Sequence, residues 1–160
     1  MPPDERAIAV AFGSNLGDRR ETILSAAEDV SRILSGFELS VLIETAPVGA
    51  GLEHDPPYLN AAGVGRSARS ARALIEAFLA IEQRHGRTRP RVNAPRTLDI
   101  DLILAGDEMI DEPGLRVPHP RFRERAFVLE PLATIAPNLT DPVTGKSVVQ
   151  LWREIKKTGA

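Results

Sequence analysis

Apolar positions along this chain fall into two periods, and the period assigns the elements. Residues 7–12 are a short apolar run, read as a first strand. From 18 to 34 the spacing lengthens, and Ile23, Ala27, Val30 and Leu34 fall on one helical stripe. Asp18 with Glu21 three residues later opens that helix as a capping box, and Gly36 closes it. Residues 37–45 and 58–67 read as two strands that pair with each other around a Gly- and Pro-bearing loop at 47–57. A second helix covers 70–84, with Leu74, Ile75, Phe78 and Ile81 on its apolar face and Gly86 as its stop. A polar, arginine-rich loop at 87–95 leads into a strand over 96–104 that ends near Gly106. Pro118-His119-Pro120 makes a rigid kink, residues 126–136 are helical despite Pro131, and residues 147–157 are a last amphipathic helix carrying Trp152. The order β-α-β-β-α-β with later additions is the split βαβ, or ferredoxin-like, arrangement: an α+β fold with one mainly antiparallel sheet and helices packed on it. That architecture carries many functions and specifies none.

The strand at 96–104 breaks the pattern in an informative way. In a strand, Thr97, Asp99, Asp101 and Ile103 share one face, while Leu98, Ile100, Leu102 and Leu104 take the other and pack on a core. The two Asp Cα atoms then lie roughly 6.6 Å apart, at about 3.3 Å rise per residue. Two like charges that close repel, and a half-buried strand makes both expensive. A divalent cation resolves the conflict, and Mg²⁺ takes one or two carboxylates and fills its shell with water and phosphate oxygens. By itself D-x-D also fits an edge strand with both carboxylates in water.

Charge distribution weighs against that plain reading. Arg84, Arg87, Arg89, Arg91 and Arg96 precede the pair, and Arg116, Arg121, Arg123 and Arg125 follow it, with His119 among them. Of the 20 basic residues only Lys146, Lys156 and Lys157 are lysines. Arginine grips phosphate through a planar fork where lysine is a point charge. Carboxylates that hold metal, flanked by arginines, are the equipment of phosphoryl transfer. The net charge of −2 excludes a general polyanion binder, so the basic cluster is local.

Composition sets the outer limits. The chain's 160 residues suit one domain, here taken as 1–160, and 42% hydrophobic with 26% charged residues is ordinary for a globular protein. No cysteine is present, so thiolate chemistry and disulfides are excluded. The start lacks a basic stretch followed by an apolar one, and no apolar run is long enough to span a membrane; a cytoplasmic location is expected. Gly13-Ser14-Asn15-Leu16-Gly17 joins a strand to a helix, where it serves equally well as an anion-binding turn or as a tight turn alone. Thr144-Gly145-Lys146-Ser147 mimics the end of a P-loop, but Thr140 stands where the first glycine belongs, so it is rejected. Tyr58 and Asn60 share one strand face, suited to stacking a flat heterocycle and reading its polar edge, or to a core Tyr beside a turn Asn.

These pieces, in this order, resemble the 6-hydroxymethyl-7,8-dihydropterin pyrophosphokinases of folate biosynthesis. The resemblance rests on residues 11–17, 44–49, 58–62, 95–101, 117–120 and 125–129, of which Pro95-Arg96-Thr97-Leu98-Asp99-Ile100-Asp101 is the most specific. It implies transfer of a diphosphoryl group from ATP to the pterin hydroxymethyl oxygen, with release of AMP. It implies two Mg²⁺ ions at Asp99 and Asp101, and arginines Arg87, Arg89 and Arg96 stabilising phosphate charge, Arg87 and Arg96 catalytically. His119, Arg125 and Glu82 match positions beside ATP. Tyr58 and Phe127 match the pair that sandwiches the pterin, whose edge is read by Asn60 and by Thr45, Ala46 and Val48. The 87–95 loop is expected to close over ATP and exclude water, which otherwise takes the diphosphoryl group. ATP and the dihydropterin are the expected partners, with no nucleic acid, no membrane, and a monomer as the default.

The chain departs from some family members at Asn93, Ala94 and Pro120, where aromatic or glycine residues stand in relatives, so altered lid kinetics or ATP affinity are expected. Two other classes remain as expectations to discriminate. A nucleotidyltransferase shares D-x-D and arginine but releases diphosphate from ATP. A ferredoxin-like RNA-binding module exposes aromatics on its sheet, and here the strands offer few.

Overall fold

The computed structural model describes residues 5–15, 18–45, 57–85 and 98–158. Strand β1 (Arg6–Ser14) leads through helix α1 (Arg19–Ser31) to β2 (Ser35–Leu39), β3 (Ile43–Thr45) and β4 (Tyr58–Ser67). Helix α2 (Ala71–Arg84) precedes β5 (Asp99–Ala105), which carries the Asp pair. A hairpin of β6 (Ile110–Glu112) and β7 (Leu115–Val117) follows, then a 3-10 turn at Phe122–Glu124, α3 (Ala126–Ile135) and α4 (Val148–Lys157). The main sheet runs β2-β4-β1-β5 with β3 also on β4, and every pairing is antiparallel. That is the ferredoxin-like order expected from the sequence.

Local chemistry explains where the elements begin and break. Asp18 caps α1 by accepting from the Glu21 N–H at 3.1 Å, and Ser70 caps α2 from Ala73 at 3.1 Å. The full reciprocal box forms at α4, between Ser147 and Gln150. The stretch that mimicked a P-loop is therefore a helix-starting turn. Helix α1 ends at Ser31 rather than at Gly36, which lies inside β2 with φ +60° where the register shifts between Ser35 and Glu38. The strand expected over 37–45 is two pieces of one edge. Ser40 separates them, donating its N–H to the Ala62 carbonyl at 2.8 Å and accepting the Ala62 N–H on its hydroxyl at 2.9 Å. The β6–β7 hairpin and the 3-10 turn were not expected. Their strands are three residues each, too short for a periodic signal.

Helices cover both faces of the sheet. On one, α1 and α2 bury Phe12, Ile100 and Leu102 against Ile23, Leu74 and Phe78. On the other, α3 and α4 bring Val128, Leu129, Leu132 and Leu151 over Ala9, Ala11, Ala62 and Ile103. A bulge links the two layers: Ala9 pairs with Leu104 and Val10 with Leu102, leaving Ile103 as the extra residue. Leu104, expected beside Leu98, Ile100 and Leu102, consequently packs with Ile103 under α3 and α4, and Ala105 turns to the α1–α2 side. No helix among the described residues is long and apolar enough to cross a membrane.

Candidate active site

Asp99 and Asp101 lie on the α3 face of β5, where Asp101 pairs with Ala11 and Asp99 with Gly13. On the far side of β1, Gly13 pairs with Asn60 and Ala11 with Ala62. Small residues therefore floor the space between the carboxylates and Asn60. A Cβ added at Gly13 would come within 3.3 Å of Asn60 Oδ1. Asn60 donates through Nδ2 to Thr45 Oγ1 at 2.8 Å, tying β4 to β3 at this edge. Tyr58, two residues before Asn60, stays on the same face, and Phe127 comes from the first turn of α3. Together these side chains line a cavity of about 600 Å³ with Asp99, Asp101, Arg121 and Arg125. That volume falls within the usual range for small-molecule sites. The Arg125 guanidinium sits 5.6 Å from the Phe127 ring centroid, a cation–π contact that holds both at the cavity wall.

A second cavity of about 390 Å³ opens at the outer edge of β5, and the two Asp residues line it as well. Ile75, Leu79 and Leu102 give it an apolar side, and Glu82, Arg116 and His119 a polar one. Glu82 is 4% exposed, and its Oε2 accepts the buried Ile100 N–H at 2.6 Å. Among the described residues β5 is the edge strand and its outward N–H groups have no strand partner, and Glu82 supplies the acceptor for the one between the two Asp residues. His119 is held by its N–H to the Ile103 carbonyl at 2.9 Å, while its Nδ1 accepts from the Arg121 N–H at 3.1 Å. That bond assigns the neutral ring's proton to Nε2, which remains a donor. Burial, reinforced by Arg125 and Arg121, lowers the His119 pKa to about 4. The ring is therefore neutral at pH 7.

The donor set suits a hard cation. The carboxylates are two residues apart, half-buried and on one face, at the junction of two cavities. Among the described residues no group of three or more His, Asp or Glu can hold a metal by itself. Mg²⁺ needs no such cage, because phosphate oxygens and water complete its octahedron.

The larger cavity gathers Thr45, Tyr58, Asn60, Phe127 and Arg125 with both Asp residues; the smaller gathers Glu82 and His119 with the same pair. Arg125, matched to an ATP position by resemblance, lines the larger cavity. Arg87, Arg89 and Arg96, Ala46 and Val48, and the departures Asn93 and Ala94 lie outside the described residues. Pro120 lines the smaller cavity. Sequence reasoning did not single out Arg116 or Arg121 among the basic residues. Only the hairpin and the 3-10 turn decide which of four nearby arginines face the site. Arg123 does not: it forms a bidentate pair with Asp141. Just after β1, Asn15 is 7% exposed and its Oδ1 is a buried acceptor without a donor among the described residues.

Fold and site together define an α+β protein with a ferredoxin-like sheet and two cavities that share one carboxylate pair. Comparison with known proteins narrows that class. The family model for 7,8-dihydro-6-hydroxymethylpterin-pyrophosphokinase matches residues 9–137, and the chain belongs to that family. A 2-amino-4-hydroxy-6-hydroxymethyldihydropteridine pyrophosphokinase from Synechocystis is 34% identical over 158 residues, covering 99% of this chain and 80% of the relative. The enzyme of that name from Pseudomonas aeruginosa is 37% identical over 137 residues, covering 84% and 83%. Among solved structures, the Plasmodium falciparum HPPK-DHPS protein superposes with a TM-score of 0.73 over 94% of this chain at 13% identity. The chain spans 44% of that longer protein, so the likeness there is one of fold.

Proposed function

We propose that this chain transfers the β,γ-diphosphoryl group of ATP to the hydroxymethyl oxygen of 6-hydroxymethyl-7,8-dihydropterin, with Mg²⁺ held by Asp99 and Asp101. The observation that carries the reading is the shared wall: both Asp residues line both cavities, one with Tyr58, Asn60 and Phe127 and the other with Ile75, Leu79 and His119. Tyr58 and Phe127 would sandwich the pterin, with Asn60, Thr45, Ala46 and Val48 reading its edge. Ile75, Leu79 and Leu102 would take the adenine side of ATP, and His119 would donate from Nε2 to a phosphate oxygen. Arg125 would face the phosphates from the pterin side, and Arg87, Arg89 and Arg96 would complete the cationic surround. Glu82 would act by fixing β5, so that the Asp pair keeps its position between substrates.

The chemistry follows from that placement. The hydroxymethyl oxygen attacks Pβ in line, and the bond from Pβ to the bridging oxygen of Pα breaks. AMP leaves with that electron pair, and the hydroxyl proton is released. Bound at the Asp pair, two Mg²⁺ ions would neutralise phosphate charge and favour the attacking alkoxide. The chain's own residues orient both substrates, so no protein nucleophile is required. We further propose one domain over 1–160, working as a cytoplasmic monomer.

Product analysis with ATP, Mg²⁺ and the dihydropterin tests the reading. AMP together with a pterin diphosphate is the expected result. Free diphosphate from ATP would point to nucleotidyl transfer and overturn it.

A further inference from the structure

Between His119 and α3 the chain makes a tight 3-10 turn bearing three arginines in six residues, and the structure separates their roles. Arg121 and Arg125 line the larger cavity beside Asp99 and Asp101. Arg123 points away and grips Asp141, Nε to Oδ2 at 2.5 Å and Nη2 to Oδ1 at 2.9 Å. Asp141 is fully buried, and its remaining acceptor capacity goes to Thr144 Oγ1 at 2.7 Å and the Val143 N–H at 3.1 Å. A fork-to-fork pair fixes orientation as well as distance, which a lysine or a lone hydrogen bond does not. The turn is thus bolted from behind at its centre, with one cavity-facing arginine on each side. Asp141 lies beyond residues 9–137, where the family match ends.

Resting on the site reading above, we propose that Arg121 is a further substrate-binding residue, meeting the diphosphoryl group on the pterin side of the Asp pair, and that Asp141 positions it through Arg123. Arg121 belongs to the acceptor cavity and does not line the nucleotide cavity. It therefore meets the diphosphoryl group while that group crosses the carboxylate wall, and not in the ATP ground state. An interaction made only at that stage lowers kcat and kcat/KM together and leaves the KM for ATP unchanged.

The test is steady-state AMP release by the full chain with Mg²⁺, varying ATP and the dihydropterin separately. Arg121→Ala is expected to lower kcat about tenfold, the scale of one charged hydrogen bond, with the KM for ATP within about twofold. Arg121→Lys should recover part of the loss, since it restores charge without the fork. Asp141→Asn should reproduce the kcat loss and the unchanged KM. Val30→Ala, in the buried face of α1 and away from the site, supplies a destabilised control whose kcat stays normal where it remains folded. Should Asp141→Asn fail to fold, Arg123→Lys replaces it, keeping the charge opposite Asp141 and giving up the fork. A kcat within twofold for Arg121→Ala, or a raised KM for ATP alone, would overturn the binding role. A folded Asp141→Asn enzyme with a normal kcat, as in the Val30→Ala control, would overturn the positioning role. Asp101→Ala run in parallel separates the two levels: its retaining normal turnover would sink the site reading, whereas its loss beside an unaffected Arg121→Ala would sink this inference alone.

Discussion

Glu82 offers the sharpest test of how the edge strand is held. Its carboxylate reaches across from α2 to accept the buried N–H of Ile100, the residue between the two Asp residues, at 2.6 Å. Truncation to Ala leaves that N–H without an acceptor in a place water does not reach, which costs about 1–3 kcal/mol, and removes buried side-chain atoms besides. A total near 3 kcal/mol corresponds to a fall in Tm of about 6–12 °C for a chain of this size. Glu82→Gln keeps a carbonyl acceptor and loses only the extra strength of a charged one, about 1 kcal/mol. Activity should follow the same order, since a loosened β5 displaces both carboxylates at once. The assay pairs urea unfolding with the KM for ATP and kcat. Were Gln as damaging to catalysis as Ala while remaining as stable as the parent, the charge of Glu82 and not its grip on Ile100 would be what matters. An Ala variant of undiminished stability would refute the tether directly.

Other expectations follow from the same geometry. Asp99→Ala and Asp101→Ala should each lower turnover on the order of 100-fold or more, because each removes half of the carboxylate pair proposed to hold Mg²⁺; near-normal rates with Mg²⁺ would show that the metal is bound elsewhere. With its folded pKa at about 4, below the unfolded value near 6.5, His119 binds fewer protons when folded, so stability falls as pH drops through that window. His119→Gln should flatten that slope, as read from urea midpoints at pH 7 and pH 4.5. Gly63→Ala would place a Cβ 2.5 Å from the Phe37 ring and should cost about 1–3 kcal/mol in urea unfolding. Among the described residues a Cβ at Gly13 meets only Asn60 Oδ1, at 3.3 Å, so Gly13→Ala should fold normally and raise the KM for the pterin, a pattern that equal stability loss in both variants would contradict.

Hydrophobic period made the main elements readable because most of them bury one face. β4 at Tyr58–Ser67 matches the strand read over 58–67, and α2 at Ala71–Arg84 matches the helix read from Leu74, Ile75, Phe78 and Ile81. What period cannot report is a local break in the ladder. The Ser40 interruption and the bulge at Ile103 each add one residue to a strand, and at Ile103 the flanking residues are all apolar, so the change of face leaves no mark in the sequence. The same limit applied to the arginines. Spacing showed a cluster, but the sorting of Arg121 and Arg125 into the cavity and Arg123 onto Asp141 depends on a three-residue turn and on a partner 18 positions away. Glu82 was matched to ATP by resemblance, and its bond to Ile100 was invisible because nothing in sequence says which N–H groups an edge strand leaves over.

The bulge also explains how one short strand serves as both scaffold and site. A strand that kept strict alternation would present the Asp residues and then Ile103 to one helix layer, with Leu104 on the other. Inserting Ile103 sends Ile103 and Leu104 together under α3 and α4, while Leu102 and Ala105 hold the α1–α2 layer. The second half of β5 is thereby gripped from both sides. Its first half keeps Asp99 and Asp101 on the face where the neighbouring strands carry Ala11, Gly13 and Ala62. Small side chains there leave room for ligand where larger ones would fill the space with core. The carboxylates are held by an anchored strand yet open onto cavities on two sides, the condition for binding two substrates against one charged pair without letting either displace it.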